Sequence, residues 1–244
     1  MSLKRKDGSD NESETEETRK VPRMAELSLP SLQLERTGAV SSIQTFVFID
    51  FEATGLPDSA GNWPDITELA MVAVSRRAIL GNTNNGDVPR IRDKLTLCLR
   101  PDKDLSSNAE RMSGLTKSML TDHAKKPMNS DVDGALRYFL RRQEAPVCLV
   151  SHAGDRMDFP LLRNELEKVS GTWDRLYTAD SLMFFQDNLP RQQGKTLQGL
   201  CQRYLHFEPN HDAESDAVGL LRLLTLPTFS QKFLDWVQRK KKQF

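Results

Sequence analysis

The chain predicts an α/β fold, a mixed five-stranded sheet flanked by helices on both faces. Three observations carry that reading. Short, nearly all-apolar runs recur in the first half, at residues 44–50, 66–74 and 94–99, as expected of strands buried on both sides. From residue 131 onward, segments with helical spacing alternate with further short apolar runs. Each strand-like run ends in Gly, Pro or charged residues, so none is long enough to be a buried helix.

Residues 1–40 are polar, charged and poor in large apolar side chains, which predicts a disordered N-terminal tail ahead of a folded domain over 41–244. Two basic clusters, Lys4-Arg5-Lys6 and Arg19-Lys20-Val21-Pro22-Arg23, flank an acidic, Ser-rich run in the manner of a bipartite nuclear localisation signal; a solvated polyampholyte tail reads the same way. The first strand, 44–50, is broken by Ala53-Thr-Gly-Leu-Pro57, and 66–74 and 94–99 complete a meander with a surface loop at 81–86. Val132, Ala135, Leu136, Phe139 and Leu140 line one face of a helix over 131–142. A fourth strand covers 146–150, a helix 159–169 tolerates Pro160 in its first turn, and a fifth strand covers 176–179. Helices over 196–204, 212–224 and 229–239 close the chain.

Bulk properties exclude several classes. With 38% hydrophobic and 28% charged residues, 244 residues suit one domain of about 200 residues plus a tail. A formal net charge of zero means that any attraction for a polyanion must be local. Cys98, Cys148 and Cys201 are odd in number and far apart, which argues against a disulfide or zinc framework. No apolar run has the length of a membrane span or the form of a signal peptide, so the expectation is a soluble nuclear or cytoplasmic protein without a membrane partner.

Chemistry concentrates in three acidic segments. Asp50-Phe51-Glu52 closes the first strand, and residues two apart on a strand share a face. In isolation such a pair reads as a solvated strand end. The second segment is Ser151-His-Ala-Gly-Asp-Arg-Met-Asp158, just beyond the fourth strand, where α/β sites usually lie. Asp155 and Asp158 both qualify as ligands there, and capping of a helix N-terminus would explain either one. The third is His211-Asp-Ala-Glu-Ser-Asp216, in which Asp212 and Glu214 compete with Asp216. Carboxylates gathered at one point repel one another unless cations sit between them, and paired divalent ions act on phosphodiesters. His211, at a loop-to-helix junction, is placed to accept a proton from water. His152 reads as structural or as a support behind the site residues, and His123 and His206 as surface residues.

Phe46-Val-Phe-Ile-Asp-Phe-Glu-Ala-Thr-Gly-Leu-Pro57, His152-Ala-Gly-Asp-Arg-Met-Asp-Phe-Pro-Leu-Leu162 and His211-Asp-Ala-Glu-Ser-Asp216 together resemble the DEDDh group of 3′–5′ exonucleases, and within it the TREX-type three-prime repair exonucleases. The resemblance implies a ribonuclease H-like fold. It implies that Asp50, Glu52, Asp158 and Asp216 hold two Mg²⁺ ions, with Mn²⁺ as the substitute, and that these acids and His211 are catalytic. Substrate contacts are implied for Glu52, Ala53, Leu56, Met112, Met157 and Asp216. The implied reaction releases nucleoside 5′-monophosphates from DNA 3′ ends, and the implied assembly is a homodimer paired through the edge strand from Lys94 to Leu99. Two positions depart from the family pattern: Ala153 stands where Asn is usual, and Met157 where an aromatic residue precedes the third acid. An RNA-directed exonuclease of the same fold and a catalytically silent nucleic-acid-binding protein are the competing readings.

Overall fold

The computed structural model describes residues 42–244 apart from 83–85, 170, 172 and 174. The expected tail, its basic clusters and the middle of the 81–86 loop lie outside the described residues. In chain order the elements are β1 (Thr45–Ala53), β2 (Ile66–Ser75), α1 (Arg76–Leu80), β3 (Asp93–Cys98), α2 (Ser107–Ser113), α3 (Lys117–Asp122), α4 (Ser130–Arg141), β4 (Val147–Ser151), α5 (Asp158–Glu167), β5 (Leu176–Asp180), α6 (Ser181–Asn188), α7 (Leu197–Leu205), α8 (Ala213–Leu224), α9 (Ser230–Lys240) and β6 (Lys242–Gln243).

The sheet has six strands in the order β3-β2-β1-β4-β5-β6, one more than the sequence predicts. β3, β2 and β1 form the expected antiparallel meander, β4 and β5 join parallel to β1, and β6 returns antiparallel on β5. The sixth strand had no apolar signal. Lys242 and Gln243 pair with Thr178 and Tyr177, the ammonium of Lys241 lies over the Tyr177 ring, and Phe244 packs against Trp173 under the guanidinium of Arg163.

Strand alternation splits the apolar residues into two cores. Phe46 and Phe48 face a core shared with α6, α7, α8 and α9, whereas Val47 and Ile49 face one shared with α4 and α5. Both faces are covered, which is why β1 reads as a continuous apolar run. Phe184 meets Phe185, Phe229, Phe233 and Trp236 edge-on, so the first core is zipped by aromatic rings. α1, α2, α3 and α6 are not among the helices expected from the sequence. α6 is short and is started by Asp180, whose carboxylate accepts the Leu182 N–H at 2.8 Å. Among the described residues no helix is long and apolar enough to cross a membrane.

Candidate active site

From Asp50 onward β1 emerges from the core into a cleft, with every residue from Asp50 to Ala53 half-buried. Asp50 and Glu52 continue the face of Phe46 and Phe48, toward α8. α8 presents Asp216 to them, and one carboxylate oxygen from each of Asp50, Glu52 and Asp216 lies within 4.8 Å of the others. Asp158, the first residue of α5, lies near this cluster, close enough for its charge to act on Asp50 and Glu52. Its carboxylate is buried, accepts the Ser151 hydroxyl at 2.5 Å and accepts the Phe51 backbone N–H between the two β1 acids.

The acids that spacing leaves open keep different partners. Asp155 turns outward to Lys242 at 2.5 Å, leaving Asp158 as the inward acid. Asp212 caps α8 by accepting the Ser215 N–H at 2.7 Å, and Glu214 is held on β3 by Lys94 at 2.5 Å and Thr96 at 2.6 Å. Of that segment, it is Asp216 that joins Asp50 and Glu52 within 4.8 Å.

Crowding shows in the proton affinities. Burial, then the charges of Asp158, Asp216, Glu52 and Glu68, holds the Asp50 carboxyl well above the usual range. Burial and then Asp216 push Glu52 up to about 8. Burial raises Asp158 to about 7 against the opposing Ser151 hydrogen bond, and raises Asp216 to about 6 against the nearby His211. Among the described residues Oδ1 of Asp216 is buried without a hydrogen-bond partner. A buried, unpartnered carboxylate oxygen facing two more acids fits a cation-binding site.

His211 is half-buried beside Asp216 in the left-handed region (φ 57°), a conformation of the kind stored at functional sites, and its Nδ1 lies 3.5 Å from the Gln198 amide nitrogen. His152 is held by two hydrogen bonds. Nε2 donates to the Lys195 carbonyl at 2.7 Å, so Nδ1 accepts from the Ser181 hydroxyl at 3.0 Å, and burial pushes the imidazole down and keeps it neutral. His123 and His206 sit exposed at helix ends.

Two clefts meet at the acids. One, of about 810 Å³, is lined by Glu52, Ala53, Leu56, Met112 and Met157 among others, and Leu56 is 79% exposed at its mouth. The other, of about 450 Å³, is lined by Asp50, His152, Ala153, Gln198 and Asp216. The substrate residues expected from the sequence therefore fall into one groove, except Asp216 in the adjoining one.

Two functional candidates escaped the sequence reading. Asp180 is buried and accepts the N–H groups of Ala153 and Asp155 at 3.0 and 3.2 Å, fixing the loop that leads to Asp158. It also tethers Ala153, which has φ 61°, a region where Asn is at ease and Ala is strained. Glu68 lies directly opposite Glu52 on β2. A lone acid inside an apolar strand, in phase with Asp50 and Glu52, was its available signal.

Solved structures share the architecture. The zinc-bound E. coli ExoI–ssDNA complex superposes with a TM-score of 0.60 at 17% identity over 81% of this chain, and this chain spans 43% of that one. The nuclease domain of 3′hExo, a DEDDh family member bound to rAMP, superposes with a TM-score of 0.58 at 14% identity, covering 84% of this chain and 98% of that one. At such identities the likeness is one of fold, and it agrees with the ribonuclease H-like fold expected from the sequence. The sequence is closer to particular relatives. It is 35% identical to three-prime repair exonuclease 1 of Bos taurus over 221 residues, 83% of this chain and 69% of the relative. It is 37% identical to three prime repair exonuclease 2 of Mus musculus over 195 residues, 73% and 81% respectively. The exonuclease family model matches residues 47–224. The chain belongs to the exonuclease family, as an exonuclease of the three-prime repair type.

Proposed function

We propose that the chain is a metal-dependent 3′–5′ DNA exonuclease that removes nucleoside 5′-monophosphates from the 3′ ends of single-stranded or frayed DNA, with 41–244 as its nuclease domain. The observation that carries this reading is the convergence of Asp50, Glu52 and Asp216 within 4.8 Å, backed by buried Asp158, at the seam of two clefts. These four acids would hold two divalent cations, magnesium with manganese as the substitute. When bound, the cations neutralise the carboxylates, lower the pKa of water and stabilise the leaving 3′ oxygen.

The chain's own residues do the rest. The groove bearing Leu56 and Met112 receives the terminal base between two apolar side chains, with Glu52 and Ala53 at its inner end against the terminal sugar. Ser151 and the Phe51 N–H hold Asp158 in place, so the acid reaches the cluster without side-chain freedom to lose. His211 takes the proton of the attacking water at a ring nitrogen. Met157 lines the groove but has no hydroxyl, so it contributes packing to the terminal nucleotide and no hydrogen bond.

RNA is the second reading, because one solved neighbour is bound to rAMP and another to ssDNA on the same fold. The 35–37% relatives named three-prime repair exonucleases favour DNA. Matched DNA and RNA oligomers of one sequence decide between them: faster shortening of the DNA supports the proposal, and faster shortening of the RNA replaces it. Binding without turnover of either would return the silent binding protein. A homodimer is part of the proposal, since among the described residues β3 pairs on one side only, with β2, which leaves its other edge for a second copy. Nuclear or cytoplasmic residence belongs to the proposal as well.

A further inference from the structure

Glu68 is placed against several local rules. It lies directly across the antiparallel β1–β2 pair from Glu52, at the last regular pair before the register shifts between Glu52 and Ala53. Like charges opposite one another destabilise such a pair. Glu68 also adds to the charge that raises Asp50 and Glu52. It is half-buried, so water only partly screens this repulsion. An acid kept where it is locally unfavourable points to a function for the position.

What Glu68 contacts gives that function. Its Oε2 accepts the backbone N–H of Ala213 at 3.0 Å. Ala213 is the first residue of the 12-residue helix α8, and its N–H is one of the four that a helix leaves without an internal partner. The Ser215 N–H is satisfied by Asp212, and Asp216 begins the regular bonding by donating to the Asp212 carbonyl at 3.0 Å. The first N–H of α8 is therefore tied to β2 by Glu68. Two residues earlier stands His211, and about one helical turn later stands Asp216. The helix end also favours a negative charge there.

We infer that Glu68 is a positioning residue, which sets the start of α8, and with it His211 and Asp216, at a fixed distance from the two acids of β1. The inference rests on the proposed nuclease reading of the acidic cluster. Glu68 acts through its reach and its acceptor oxygen: it holds the helix rather than the substrate. A second tie acts one residue on, where Glu214 is bound to Lys94 and Thr96 of β3. Loss of the Glu68 bond alone therefore shifts the start of α8 without detaching the helix.

Two variants separate reach from charge. Glu68→Gln keeps the length and an acceptor oxygen and removes the charge, whereas Glu68→Asp keeps the charge and is one methylene too short. Full-length protein is compared by kcat and KM on a 5′-labelled DNA oligomer, by Mn²⁺ binding followed by electron paramagnetic resonance, and by hydrogen exchange at the Ala213 amide in EDTA. Glu68→Gln is expected to keep kcat, Mn²⁺ affinity and Ala213 protection within about threefold of the parent. Glu68→Asp is expected to lose roughly 10- to 100-fold in kcat or Mn²⁺ affinity, the range seen when a group supporting a metal ligand is removed. KM for the oligomer stays within about twofold, and Ala213 exchange accelerates while amides in the middle of α8 stay protected. The inference is overturned if Glu68→Asp matches the parent, if Glu68→Gln is the more damaged variant, or if both are equally impaired. Should the parent protein prove inert on DNA, the nuclease reading fails by itself, and the exchange and Mn²⁺ measurements still decide the role of Glu68.

Discussion

Replacing Glu52 by Gln removes one of the crowded charges while preserving shape, and the structure predicts that this stabilises the metal-free protein. Burial and then Asp216 raise the Glu52 carboxyl from an ordinary 4.5 to about 8 in the folded state. A carboxyl whose pKa rises on folding binds more protons folded than unfolded. Its contribution is therefore intact below about pH 4.5 and is lost as pH climbs through about 8. At pH 8 the interval corresponds to about 4 kcal/mol at full burial. Glu52 is half-buried, and screening by solvent brings that to about 2 kcal/mol. For a domain of this size 2 kcal/mol is roughly 4–8 °C in Tm. Thermal melts of both proteins in EDTA are expected to differ little at pH 5 and by that margin, in favour of Glu52→Gln, at pH 8. Saturating Mg²⁺ is expected to raise the parent more than the variant and to close the gap. A Glu52→Gln protein that melts at or below the parent at pH 8 in EDTA would refute the view that the acids repel one another until a cation is bound.

Gly154 offers a steric test, since a Cβ there would stand 2.7 Å from the Phe159 ring and 2.8 Å from Cβ of Ser151, the residue that holds Asp158. Gly154→Ala is expected to cost about 1–3 kcal/mol and to lower kcat as well; an unchanged Tm and kcat would show that the loop yields freely. Ala153→Asn is expected to act in the opposite direction, adding about 1 kcal/mol because Asn tolerates the φ of 61° that Ala adopts there. A differential melt reads this directly, and an equal or lower Tm would count against strain at that position. Leu56→Ala, made on a side chain that is 79% exposed until substrate covers it, should reduce kcat/KM about tenfold, as expected when roughly 1.5 kcal/mol of apolar contact is lost. Steady-state kinetics on the DNA oligomer measure it, and an unchanged ratio would remove Leu56 from the groove.

Much of the fold is legible in the sequence. β1, β2 and β4 are buried on both faces, so their apolar runs stand out, and the amphipathic α4 and α8 show their cores by spacing alone. Asp50 and Glu52 were paired by strand alternation. Illegible elements fail for identifiable reasons. β6 consists of exposed polar residues whose strand character exists only because β5 has a free edge. α6 is short and held by aromatic packing that comes from distant α9. At the site, spacing could not choose among Asp155, Asp158, Asp212, Glu214 and Asp216, because all five lie near a helix start. What chooses is the company each keeps: Lys242 for Asp155, the helix cap for Asp212, Lys94 and Thr96 for Glu214. Asp180 is not legible because its partners at the site are backbone N–H groups, which leave no mark in a sequence, and Glu68 shows only as an acid inside an apolar strand.

The most direct test of the central claim is a time course of full-length protein on a 5′-labelled single-stranded DNA oligomer with Mg²⁺, run beside Asp216→Ala. Asp216 is the acid whose buried Oδ1 is left without a hydrogen-bond partner among the described residues. The expected products are shortened one nucleotide at a time from the 3′ end, abolished by EDTA and reduced by orders of magnitude in Asp216→Ala, with the variant still folded by circular dichroism. An intact oligomer with the parent protein in both Mg²⁺ and Mn²⁺, or undiminished shortening by Asp216→Ala, would contradict it.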